Sequence, residues 1–217
     1  MANVTVKHIV DMAAEILQDD ESNEHWSLTK LINWYNLAGR EVVRLRPDAN
    51  AVIDAVKLAS GVKQSLPARG MAFLTALRNM GADGLTPGDA IGMSSLEVIG
   101  AFDRGWITAT ASATIYNAMP DPLRPTTYWV SPGSDGTPYI EIEFSRTPEA
   151  VVYDAAGAWE SNLVEVGEAF VNPVFNLVLA FAYQKDSDYP GNFQRSGYYR
   201  SVAMQGLGLS SPQAQQE

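Results

Sequence analysis

The 217-residue chain contains no cysteine, which removes disulfides, thiolate metal sites and cysteine nucleophiles together. Histidine is nearly as scarce. His8 and His25 are the two imidazoles, neither belongs to an HExxH motif, and ordinary surface histidine accounts for both better than a zinc site does. No run reaches the ~18 to 20 apolar residues of a membrane span. Residues 1–20 also lack an apolar stretch after a basic start, so the expectation is a protein that stays in the cytoplasm where it is made, with no membrane partner. Basic residues are few as well: 15 Lys and Arg face 25 Asp and Glu, a net charge of −10. That balance argues against a surface that grips nucleic acid by releasing counterions. What remains is an ordinary globular composition, 46% hydrophobic, sufficient for one domain or two small ones.

The stretch from Gly167 to Gly208 organises the rest. Phe170, Val174, Leu177 and Phe181 recur at helical spacing while Val171, Val178, Leu179 and Ala182 fill the neighbouring faces, so this helix is apolar nearly all round and must be buried. Either Asn172-Pro173 caps the start of this helix, since proline is tolerated in a first turn, or the helix starts near Gly167 and Pro173 kinks it lightly. Tyr189-Pro190-Gly191-Asn192 reads as a turn, followed by a more amphipathic helix from about Phe193 to Gln205 that Gly206 and Gly208 stop. At the other end, Thr5 is placed to cap a helix reaching about Gln18, with Ile9, Ala13 and Ile16 on one face. Ser27 is placed to cap a second, in which Leu28, Leu31, Tyr35, Ala38, Val42 and Leu45 form a seam before Pro47 ends it. These elements predict an α+β protein: a four-helix bundle formed by the N- and C-terminal segments, with a β-rich domain inserted between helices 2 and 3. The expected boundaries are 1–47 plus 162–209 for the bundle, 48–161 for the insertion, and 210–217 for a small polar tail.

Within the insertion the texture changes to short alternating runs, turn dipeptides and many Thr, Val, Tyr and Trp residues. Val52 to Leu58 followed by Gly61 to Pro67 suggests a hairpin, and Phe73 to Met80 is strand-like. The clearest signal is Thr127–Val130, a connection containing Asp135-Gly136, and Tyr139–Phe144, where Ile140, Ile142 and Phe144 alternate with Glu141 and Glu143 as a half-buried hairpin strand requires. Trp106 to Ala113 fits either a loop or an edge strand.

Candidate chemistry is sparse, and each candidate has a plainer explanation. Gly92-Met93-Ser94-Ser95-Leu96 misses the nucleophile elbow, which needs a glycine two residues after the serine. Glu141 and Glu143 lie two apart on one strand, where both carboxylates could point into a cleft as a glycosidase pair would, but the solvated face of a hairpin is the better explanation because catalytic carboxylates usually come from separate elements. Tyr128, Trp129 and Tyr139 are suited to stack a sugar or base; cross-strand packing is the plainer explanation. No phosphate-cradling glycine loop is present. The expectation is therefore no enzyme, no cofactor and no catalytic or metal-ligating residues. Arg40, Arg44 and Arg46 cluster near the end of the second helix, where cations suit the helix dipole and can equally meet an acidic subunit neighbour or DNA.

Four segments together resemble the head-to-tail adaptor, or connector, proteins of tailed bacteriophages, particularly the short-tailed type. They are LINWYNLAGREVVRLRPDANAV (Leu31 to Val52), LRNMGADGLTPGDAI (Leu77 to Ile91), TTYWVSPG (Thr126 to Gly133) and LVLAFAYQKDSDYPGN (Leu177 to Asn192). The resemblance implies a structural virion protein at the head-tail junction: a homo-oligomeric ring, usually of twelve copies, that joins the portal protein to the tail nozzle. Double-stranded DNA would pass through its lumen during ejection without specific binding. Helices would form the ring wall and the β insertion would meet tail proteins. The tail, Leu209, Ser210, Ser211, Pro212, Gln213, Ala214, Gln215, Gln216 and Glu217, would reach the portal, and Arg40, Arg44 and Arg46 would act between subunits. A competing reading is a carbohydrate-binding or hydrolytic virion module that uses the aromatic β insertion.

Overall fold

A computed structural model describes residues 3–18, 26–185 and 190–209. The chain separates into two compact units, residues 1–50 with 148–217 and residues 51–147.

The first unit is helical. Helix α1 (Val6–Leu17) starts where Thr5 accepts the His8 backbone N–H at 3.3 Å, and ends at Gln18 in the left-handed region, φ 58°. Helix α2 (Leu28–Leu45) buries Leu31, Ile32, Tyr35, Ala38, Gly39, Val42 and Val43. Residues 148–170 then run as an irregular strap over the helices of this unit. Asn36 pairs with both backbone groups of Val151, at 2.8 and 2.9 Å, in the manner of a strand partner. The strap continues through a 3-10 turn that buries Trp159, and bridges Leu163 to Thr5. The expected insertion extended to 161, whereas 148–161 group with the helices.

Among the described residues two α-helices follow the strap, with a further short one, α3 (Leu96–Phe102), in the other unit. Helix α4 (Val171–Lys185) is buried on nearly every side, from Val174 and Leu177 to Leu179 and Ala182. Pro173 falls in its first turn, where no hydrogen bond is lost. Helix α5 (Pro190–Gly206) begins three residues before the sequence pattern suggests, because proline is at home in the first helical position. It ends with Gly208 at φ 70° and a Leu209 N–H bonded back to the Met204 carbonyl.

The four-helix bundle with a β-rich domain between its second and third helices is not the arrangement formed. The described chain has five α-helices, and the third, α3 (Leu96–Phe102), sits among the strands of the other unit. Helix α4 takes the centre of the helical unit: α1, α2 and α5 all lie against it, and α5 packs chiefly along α4. The physical reason is the distribution of apolar side chains. A helix apolar all round can bury neighbours on three sides, whereas α5 offers little beyond Ala203 and the following Leu207 to bury. Its N-terminal half leaves a groove of about 950 Å³ along the ends of α1 and α2 where a closed bundle would have core.

The second unit holds two sheets. One has the order β1 (Ala51–Lys57), β7 (Tyr139–Arg146), β3 (Gly70–Asn79), entirely antiparallel. The other has the order β2 (Gly61–Ser65), β6 (Thr127–Ser134), β5 (Asn117–Pro120), β4 (Gly92–Met93). Here β4 runs parallel to β5, and the long crossover that parallel pairing demands contains α3. Phe73, Ile140, Ile142 and Phe144 from the first sheet and Tyr128 and Val130 from the second share one buried core. Neither hairpin expected from the sequence forms: β1 pairs with β7 rather than β2, and β6 pairs with β2 and β5 rather than β7. The turn residues do turn the chain, but they carry it from one sheet to the other. Asp135 accepts the Thr137 N–H at 2.8 Å, and Gly136 adopts φ 90° beside Ser60, where a side chain is disfavoured.

Candidate functional site

Several of the residues with catalytic potential do structural work. Ser94, the serine of the near-miss elbow, donates its backbone N–H to the Ala118 carbonyl at 3.0 Å, and the next residue, Ser95, caps α3, its hydroxyl accepting the Val98 N–H at 3.2 Å. Glu141 is clamped by Arg78 on the neighbouring strand, with guanidinium contacts of 2.9 and 3.2 Å. Glu143 faces Ile53 and Thr75 across the ladder. Tyr128 is buried and stacked on Phe73 at 4.5 Å with 9° between the rings, and burial pushes its hydroxyl pKa up. Trp129 meets Trp106 edge-on at 6.1 Å and donates to Asp121 at 3.2 Å. Tyr139 covers Gly84, and Lys57 lies 6.0 Å from its ring. Tyr128 thus lies in the core and Trp129 is held by its neighbours.

His8 lines a cavity of about 210 Å³ with Glu168, Asn172 and Phe175, while His25 lies outside the described residues. Among the described residues no three His, Cys, Asp or Glu side chains come together as metal ligands.

The three arginines diverge. Arg46 grips Asp48 with both arms, at 2.8 and 2.7 Å, donates to the Leu207 carbonyl at 2.8 Å and lies 5.2 Å over Phe170. The shared hydrogen bonds hold the Asp48 carboxyl below its usual range. Arg46 thus locks the end of α2 to the end of the helical unit, an intramolecular task that nothing in its spacing to Arg40 and Arg44 announced. Arg40 borders a groove along α2 with Leu37, Val152 and Tyr153, and Arg44 is exposed in the last turn of α2. Of the tail, Leu209 is half exposed and Ser210 to Glu217 lie outside the described residues.

What the structure does bring together is exposed apolar and aromatic surface. Helix α3 buries none of its residues, and Val98 and Phe102 stand one turn apart on its outer side, Phe102 89% exposed. Leu85, Ile107, Tyr116 and Leu123 are exposed in the same unit. In the helical unit, the groove beside α5 is walled by Trp26, Tyr183, Tyr198 and Tyr199. Tyr183 and Tyr199 stack at 5.7 Å, Tyr198 meets Tyr199 edge-on at 5.4 Å, and Arg195 lies 5.5 Å over Tyr183. Burial and the neighbouring tyrosines raise the Tyr199 hydroxyl pKa. Sequence reasoning missed both surfaces. The Ser95 cap with Glu97 in the first turn is the one signal that marked α3. No protein-family model matches the chain, and no curated protein matches it.

Proposed function

We propose that this protein is a structural subunit of a phage virion, a head-to-tail adaptor that assembles as a ring between the portal protein and the tail. The observation that carries the reading is the pairing of idle chemistry with exposed apolar surface. Glu141 is clamped by Arg78, Ser95 caps a helix and Tyr128 lies in the core, while Phe102, Val98, Phe193 and Tyr198 stand in solvent on helices. Exposed large apolar side chains grouped on one element mark surfaces that bury themselves against a partner. The four sequence segments that resemble the adaptor family supply the identity of the assembly. Charge supports the passage of DNA: the helical unit carries 8 basic and 16 acidic residues against 7 and 9 in the β unit, so a ring wall built of helices would repel phosphate rather than hold it.

The test is native mass spectrometry and negative-stain microscopy of the protein, alone and mixed with the portal protein encoded in the same genome. A ring docked on the portal is the expected result. A protein that stays monomeric and leaves the portal bare overturns the reading.

A further inference from the structure

Two features on different parts of the chain complement each other. The first is a knob: the exposed arc of α3, Glu97, Val98, Ala101 and Phe102, where the phenylalanine is more exposed than any other large apolar side chain described. This arc carries one acid and no base. The second is a slot: the groove of about 950 Å³ beside α5, with aromatic walls from Trp26, Tyr183 and Tyr198 and a cation at Arg195. Helix α5 has two arginines and no acid, in a chain whose net charge is −10. Copies of so acidic a protein repel each other at long range, so their contact must place one of the few cationic segments against an acidic one. Arg200 of α5 is already paired with Glu41 at 2.8 Å, which leaves Arg195 as the cation at the rim of the slot.

Resting on the assembly reading above, we infer that Phe102 on α3 of one copy inserts into the aromatic groove beside α5 of the next copy, with Glu97 facing Arg195. A knob and a slot at different places on one surface make a heterologous contact, which joins copies in one direction and closes into a ring when the rotation permits. Tyr183 already meets Tyr199 and Arg195, and Trp26 already meets Trp34 and Lys185, so the exposed ring of Tyr198 is the one that offers an entering phenylalanine an edge-to-face contact.

The chain has no cysteine, so introduced thiols report the contact cleanly. Phe102→Cys protein and Tyr198→Cys protein, both changed at exposed positions, are mixed and oxidised, then run on a non-reducing gel. A covalent dimer is expected in the mixture and in neither protein alone. The pair Phe102→Cys with Leu37→Cys, at an exposed position on α2, is the control. Adding Glu97→Arg to the first protein should abolish the dimer, and adding Arg195→Glu to the second should restore it. No adduct above the control pair, an adduct indifferent to the charge reversals, or capture of Phe102→Cys by a tail protein in its place each overturns the inference. The two readings fail separately: a ring on the portal without the adduct discards this contact alone, and the adduct without portal binding discards the adaptor reading alone.

Discussion

Leu177 sits in the middle of α4 with no exposed surface, on the helix that α1, α2 and α5 all touch. Replacing it with alanine removes three buried carbons, which at ~0.8 kcal/mol each amounts to about 2.4 kcal/mol of lost transfer energy. Because three helices converge on α4, the surroundings cannot collapse fully into the space, and the residual cavity brings the total to about 3 to 4 kcal/mol, within the range measured for buried leucines. For a unit of this size each kcal/mol moves the midpoint by ~4 °C, so the helical unit should melt about 12 to 16 °C lower. Calorimetry separates this from the β unit if the two melt apart. Phe193→Ala on the exposed side of α5 serves as the comparison and should cost under about 0.5 kcal/mol. A loss below about 1 kcal/mol for Leu177→Ala would refute the placement of α4 at the centre.

Three further predictions concern local devices. Asn36→Ala strips both backbone groups of Val151 of their partners and should cost about 1 to 3 kcal/mol, measured by urea denaturation; Asn36→Asp, which keeps an acceptor but loses the donor, should recover only part of it. Gly84→Ala forces a side chain into φ 71° and to within 3.0 Å of the Tyr139 ring, and should lower stability by ~1 to 3 kcal/mol while a change at the open Gly191 does not. Backbone hydrogen bonds from Leu85 and Leu123 hold the Asp83 and Asp121 carboxyls below their usual range, and the Thr137 hydroxyl and N–H do so for Asp135. A depressed folded-state pKa contributes stability above the unfolded carboxylate value that is lost as pH falls through the folded one. The triple Asp→Asn variant should therefore show a flatter loss of stability below about pH 4 than the parent, followed by circular dichroism, and identical acid transitions would dismiss these turns as contributors.

Burial was legible where the pattern was dense. The all-round apolar surface of α4 announced its position, and the alternation of Ile140, Ile142 and Phe144 correctly put their side chains in the core. Partner choice was not legible. Asp135-Gly136 turns the chain in the same way whether the next strand folds back on β6 or crosses to another sheet, and the pairing of β1 with β7 links residues some 90 positions apart that no local signal couples. The bundle was misread for a related reason: the seam on α2 showed that it wanted a helical partner, and only the weak apolar content of α5 hinted that one side would stay open. Helix α3 escaped because periodicity is read from buried faces, and it has none. The same property hides it and defines it as a surface.

Two glycines carry that argument one step further. Gly100 in the middle of α3 and Gly197 in the middle of α5 have no atom within 4 Å of where a Cβ would stand, and neither has positive φ. Nothing within the chain requires glycine at either place, yet glycine inside a helix costs about 1 kcal/mol relative to alanine. Such a cost is expected where another backbone must approach closely, and these two helices are the ones that leave most of their surface uncovered. Alanine at either position should therefore raise the melting temperature of the isolated chain by a few degrees, by ~1 kcal/mol of regained helix propensity. The same substitutions should weaken assembly wherever another backbone docks on those open sides, which lie apart from the Phe102 arc of α3 and from the α5 residues that line the groove. Thermal scanning and ring yield on the portal measure the two effects in one preparation. Substitutions that stabilise the chain and leave assembly intact would show that the open sides of α3 and α5 face solvent in the assembled particle as well.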